Sequence, residues 1–439
     1  MVRSSRGVTV VALAVALAIT ALAGCSEDRT TTGATGSTTT TAAVTATCAD
    51  DLLGCARRSS IADAVGDEPV KATGDPITLG MINQENTPIG SYPELSSATR
   101  AAIEFINTEL GGVNGRPLAV EVCNTEFSPE GSTACAQKFV QAGVPAVLGG
   151  IDVFGTGIDT LADNDIPFVG GIPVSEQAVT SANSFQWSGG IWGATVAFAH
   201  HAATEVGAKK VAIVYPDFGP ITSAAEYGKT ALANEGVDDV VLVPYPITAT
   251  DLTSPIQAAA NGAPDALIML AADMGCKGAF DGFDTVGVEA QVYLVGACAS
   301  PKIIEEAGPA KTDGTIFNVE NPLDPDNVDF ALYQGIAAKY GDGFDPVGAG
   351  TVSFRSMMNL YRVLAGLPED QLDAAGITSA LSSQDGDPSF MGHPSTCDHE
   401  QIAGLPALCS PQQILAKLVD GQLTQLGGWI DVGKVYGGG

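Results

Sequence analysis

Nine cysteines, four histidines and a handful of carboxylates at the ends of apolar runs are the residues that could do chemistry. Cys397-Asp398-His399 sets a thiol beside an imidazole, as a nucleophile and its base would be. Catalytic partners must converge in space, however, and Cys409 is a ready disulfide partner for Cys397. His200-His201 falls in a helical stretch, where adjacent residues face apart and cannot share one metal ion. With His393 and His399 they complete the histidines, none at zinc-site spacing, and no C-x-x-C occurs. The segment Leu323 to Asp329 alternates carboxylates but lacks the glycine and terminal glutamate of a calcium loop. No G-x-S-x-G, Walker loop or G-x-G-x-x-G occurs either. The expectation is a protein that is not an enzyme and uses no metal or cofactor.

Disulfide chemistry is the better use of the thiols, but nine is an odd number. Neighbours in sequence suggest four local pairs: Cys48 with Cys55, Cys123 with Cys135, Cys276 with Cys298, and Cys397 with Cys409. Cys25 is left over. It follows Arg3, Arg6 and the apolar run Val10 to Ile19, a positive start and a hydrophobic core that together read as a secretory signal. The run is too short to span a bilayer, which takes about 20 residues. Leu22-Ala23-Gly24-Cys25 resembles the lipobox of bacterial lipoproteins, which implies cleavage after residue 24 and a diacylglyceryl group on Cys25. Ser26 to Thr47 holds ten threonines and no aromatic residue, so it cannot build a core and reads as a tether. The protein is therefore expected outside the cytoplasm, held to the cell membrane by lipid alone.

Composition narrows the partners. The 439 residues suffice for two lobes, each with its own core. Fifty Asp and Glu against twenty Lys and Arg give a net charge of −30, which repels nucleic acid and anionic lipid alike. Only 16% of residues are charged, so the chain is globular rather than an acidic disordered one.

The elements that must position the carboxylates alternate from Ile77 onward. Strands are predicted over Ile77 to Asn83, Leu118 to Cys123, Ala146 to Gly149, Phe168 to Gly170, Val211 to Tyr215, Val240 to Val243, Ala266 to Leu270 and Val292 to Val295. Helices are predicted between them at 94–110, 129–142, 194–206, 222–235, 254–261 and 275–286, and later at 326–340 and 347–364. This alternation is the signature of an α/β fold, parallel sheets with helices on both faces. In such folds small ligands bind beyond the carboxyl ends of the strands. Those ends carry Glu85, Asp152, Asp217 and Asp273 among glycines.

In this order, "AAIEFINTELGGVNGRPLAVEV", "VLGG", "IPFVGG", "KKVAIVYPDFG", "ITATDLTSPIQAAANGAPDALIML" and "GTIFNVENPLDPDN" are similar to segments of one family. From about Ile77 to its end the chain resembles the type I periplasmic solute-binding proteins of the branched-chain amino acid ABC-transporter family. The resemblance implies two Rossmann-like doubly wound lobes joined by three crossover strands and closing on a ligand. The lobes are expected at 75–190 plus 319–385 and at 191–318 plus 386–435, after an extension at 48–74. It also implies site residues. Thr156, Val174 and Ser175 fall where the family holds the ligand carboxylate, and Asp273 where an acid holds the ammonium. Phe218 stands in for a covering tyrosine, while Glu85 and Trp192 are further candidates near the cleft. The implied partners are an amino acid or related polar metabolite and an ABC permease, with the receptor monomeric. A sensor lipoprotein without transport, or an exported hydrolase on the same scaffold, are the alternatives.

Overall fold

The computed structural model describes residues 48–437, apart from residues 88, 89, 272, 345 and 347 and the side chains of Asp273 and Met274. The expected signal at 1–24, Cys25 and the tether to residue 47 lie outside the described residues.

The strands are β1 (Ile77–Asn83), β2 (Leu118–Asn124), β3 (Val147–Gly149), β4 (Phe168–Val169), β5 (Ser184–Phe185), β6 (Lys210–Pro216), β7 (Asp239–Tyr245), β8 (Ala266–Met269), β9 (Gln291–Leu294), β10 (Ile316–Val319), β11 (Gln413–Val419) and β12 (Gln422–Ile430). They form two sheets. The first is parallel in the order β2-β1-β3-β4-β5, and the second runs β12-β11-β10-β9-β8-β6-β7. Read from β7 to β10, the second sheet repeats the order of the first, with the earliest strand second from the edge. Each sheet therefore has a switch point, between β1 and β3 and between β6 and β8, where a crevice opens.

The chain passes between the sheets three times, after β5, after β10 and before β11, giving two doubly wound lobes joined by three crossovers. β11 and β12 join antiparallel as a hairpin. Its turn is Asp420-Gly421, both at positive φ (52° and 76°), as a two-residue hairpin loop requires.

Local sequence accounts for the helices around the crevice. Helix Pro129–Ala142 starts on Ser128, whose hydroxyl accepts from the Gly131 N–H, and ends on left-handed Gly143. Its predicted and observed limits coincide. Helix Pro93–Glu109 is closed by Gly111 and Gly112, and a Cβ on Gly112 would lie 2.1 Å from the Arg116 carbonyl oxygen. Helix Gly350–Ala365 is buried over most of its length and lies on Pro93–Glu109.

The core follows the two sheets. Val211, Leu267, Phe280 and Tyr293 belong to the cluster of the second sheet, and Leu79, Phe105, Phe354 and Tyr361 to that of the first. Residues 48–74 pack on the first lobe. Leu52 sits against Gly335, the Ser60 N–H donates to Asp329, and Asp63 pairs with Arg362 at 2.8 Å. Between 386 and 409 the chain is shared. Phe390, Met391, Cys397 and Cys409 pack with the first lobe, whereas Ile402, Leu405 and Leu408 pack with the second.

The four disulfides are Cys48–Cys55, Cys123–Cys135, Cys276–Cys298 and Cys397–Cys409. Among the described residues no helix is long and apolar enough to cross a membrane, and no three metal-binding side chains cluster.

Candidate functional site

A cavity of about 190 Å³ lies between the lobes. Val153 and Val174 reach it from the loops of the first sheet, Ile191 and Ile221 from helices of the second lobe, and Leu270 and Val295 from beyond β8 and β9. Its polar lining comes mainly from Tyr92, Thr351 and the second crossover, through Asn318, Glu320 and Asn321. Among the described residues no lysine or arginine lines it.

Glu320 ties the three crossovers together. Its carboxylate accepts from Ser188 (2.9 Å) on the first crossover, from Gln413 (2.9 Å) on the third, and from Arg355 Nη2 (2.6 Å) on helix Gly350–Ala365. Arg355 Nη1 also donates to the Glu320 carbonyl. Both partners are buried, so this is a desolvated, charge-assisted pair. Asn318 is likewise engaged, its amide oxygen accepting from the Gly296 N–H and its NH2 donating to Gln413.

A second polar knot holds the loop after β3. Asp152 is 5% exposed. One carboxylate oxygen accepts from the N–H groups of Phe154 (3.3 Å) and Gly155 (3.2 Å), the other from the Ser132 hydroxyl (2.6 Å). Burial pushes this carboxyl above the usual carboxylate range, against the pull of those three hydrogen bonds. The Ile151 N–H donates to Asn83 and the Gly157 N–H to Ser132.

The structure distributes the sequence-chosen residues unevenly. Val174 lines the cavity. The Thr156 hydroxyl is turned away, donating to the Pro129 carbonyl at 2.6 Å. Ser175 is fully buried against Gly155, its hydroxyl without a hydrogen bond. Phe218 is off the lining and meets Phe154 of the other lobe edge-on at 5.7 Å, with Phe127 behind at 5.3 Å. Trp192 stands in the core of the second lobe, its indole N–H donating to Ser223, and does not reach the lining. Glu85 accepts from Asn83, also off the lining. Asp273 opens helix Asp273–Val286, two residues after the lining residue Ala271, and its side chain lies outside the described residues.

Sequence reasoning passed over Glu320, Arg355 and the structural use of Asp152. For Arg355 a signal exists, a cation set among uncharged neighbours in the segment "TVSFRSMMNL". His200 pairs with Glu235 and His201 with Tyr293, each away from the cavity.

A family model described as "Periplasmic binding protein" matches residues 76–405. Among solved structures, a possible leucine/isoleucine/valine-binding protein from Rhodopirellula baltica aligns with TM-score 0.69 and 12% identity, over 82% of this chain and 98% of that one. The branched-chain amino acid transporter substrate-binding protein LivJ from Streptococcus pneumoniae, in complex with isoleucine, aligns with TM-score 0.64 and 14% identity, over 81% and 100%. The leucine-binding protein LivK from Thermotoga maritima aligns with TM-score 0.61 and 16% identity, over 80% and 98%. No curated protein matches the sequence.

Proposed function

This chain belongs to the periplasmic binding protein family, and from that premise we propose that it is the substrate-binding component of an ABC importer, holding an amino-acid-like solute with an apolar body between its lobes. The family is one of extracytoplasmic solute-binding proteins and is not an enzyme family, which supports this reading. The observation that carries the reading is the cavity itself, set at the carboxyl ends of two like-ordered sheets and bounded by a crossover strand. In this reading Asp273 meets a ligand ammonium from its strand end, and Phe218 holds the lobes closed by its contact with Phe154. Cys25 carries the lipid, and residues 26–47 give the receptor reach to a membrane permease.

Thermal-shift and calorimetric titration of the full mature chain against amino acids, short amides and aromatic acids tests the reading. A ligand that binds only the folded state stabilises it by about 2.7 kcal/mol at a hundredfold excess over Kd. One saturable site is expected, with amine-bearing ligands weakened by Asp273→Ala. Equal binding by the variant removes Asp273 from the site, and no binder in the panel removes the solute-binding reading. Intact mass of the membrane-extracted protein tests the anchor independently: cleavage after Gly24 with no diacylglyceryl addition excludes it.

A further inference from the structure

We infer that Asn321 is a specificity-determining residue of the cavity, and that the solute it selects carries a neutral hydrogen-bonding group, a carboxamide or a hydroxyl, on an otherwise hydrocarbon body. The inference rests on the solute-binding reading above and deepens it. Asn321 stands on the second crossover, lines the cavity and is 6% exposed. The other polar side chains of that crossover are committed within the chain. Glu320 accepts from Ser188, Gln413 and Arg355, and Asn318 is bonded to Gly296 and Gln413. The lining hydroxyl of Thr351 donates to the Gly348 carbonyl. Asn321 differs. Its NH2 donates only to the carbonyl of the next residue, Pro322, at 3.3 Å, which is long for such a bond. Its amide oxygen accepts from no described group and is not shut away from solvent.

The amide is also held in place. On one side Glu320 is clamped through its carboxylate and through its carbonyl, which accepts from Arg355. On the other, Pro322 restricts the backbone of the residue before it, and the Leu323 N–H donates to Gln425. A polar group fixed in advance meets its partner at little ordering cost. An amide offers a donor and an acceptor together and no charge, so it matches a carboxamide or a hydroxyl. A solute that covers it with hydrocarbon leaves it unpaired, and sites built to hydrogen-bond reject apolar isosteres for that reason. The rest of the lining sets the frame. Ile191, Ile221, Leu270 and Val295 take hydrocarbon, while the N–H groups of Val153 and Val174 meet no acceptor among the described residues and are free for a second polar end. A volume of about 190 Å³, against ~150 Å³ for an apolar cavity that holds benzene, suits a solute of roughly eight or nine non-hydrogen atoms.

The experiment is calorimetry on the full mature chain and its Asn321→Leu variant with isosteric pairs of that size: L-asparagine against L-leucine, L-threonine against L-valine, and succinamate against 4-methylpentanoate. In at least one pair the polar member is expected to bind wild type at least tenfold more tightly than its apolar isostere, and Asn321→Leu to erase or reverse that ratio. Damage to the fold alone weakens both members alike and leaves the ratio unchanged, and Asn321→Ala gives the same reading if the leucine variant does not fold. An apolar member that matches or exceeds its polar isostere in every pair overturns the inference and leaves the solute-binding reading standing. So does a polar preference that survives the substitution. Binding by no member of the series also overturns it, and the broader panel above then judges the solute-binding reading alone.

Discussion

Asp152 shows how one residue can serve as structure where its position suggests a ligand contact. Burial raises its carboxyl while Ser132, Gly155 and Phe154 hold the ionised form. For an acid whose folded value lies above its unfolded one, the favourable contribution of the protonated form is complete below the unfolded value. It is lost as pH rises through the folded one. Asp152→Asn keeps an acceptor for the two N–H groups and removes the buried charge. The melting temperature of the variant relative to wild type is therefore expected to be lowest in acid and to rise as pH increases toward neutrality. Curves that stay parallel from acid to neutral pH would contradict a raised carboxyl at this position.

At the scale of elements, the crossovers are fastened to one another and to helix Gly350–Ala365 through a single carboxylate. Glu320→Ala strands Arg355 as a buried charge, a loss of about 3–5 kcal/mol for pairs of this kind. Replacing both at once, Glu320→Leu with Arg355→Leu, removes that penalty, so the double variant is expected to recover most of the stability in urea unfolding. A double variant as unstable as the single one would show that the hydrogen bonds from Ser188 and Gln413, rather than the charge pair, hold the crossovers. Legibility at this scale followed local signals. Ser128-Pro129 and Gly143 bracket a helix unmistakably, and long apolar runs made β1 and β6 plain. β10 has four residues and no amphipathic rhythm, and only its pairing with β9 and β11 makes it a strand. The hairpin β11–β12 is different, since Asp420-Gly421 between two partly apolar segments is itself a turn signal in the sequence.

At the scale of the molecule, the contact of Phe218 with Phe154 joins one lobe to the other. Edge-on aromatic pairs contribute about 0.5–1.5 kcal/mol beyond their buried area. Closure around a ligand is a population shift, so a contact made only when the lobes approach favours the closed state by that amount. Phe218→Ala is expected to weaken ligand binding by about two- to tenfold and to enlarge the radius of gyration of the unliganded protein in small-angle scattering. An unchanged radius and affinity would assign Phe218 to packing alone.

The sequence by itself determined the class of fold and the pairing of eight cysteines. Each depends on neighbours in the chain: apolar periodicity, and thiols that close short loops. It pointed to the strand ends, where the cavity lies, because the direction of a parallel strand fixes where its loops lie. Only the tertiary structure decided which loop residues face the cavity. Thr156, Ser175 and Asp152 are within a few residues of lining positions, yet their polar atoms turn toward Pro129, Gly155 and Ser132. Orientation within a loop is set by contacts with residues far away in sequence, as is the meeting of Glu320 with Ser188, Arg355 and Gln413. Those partners come together only when three separate crossings of the chain are laid side by side.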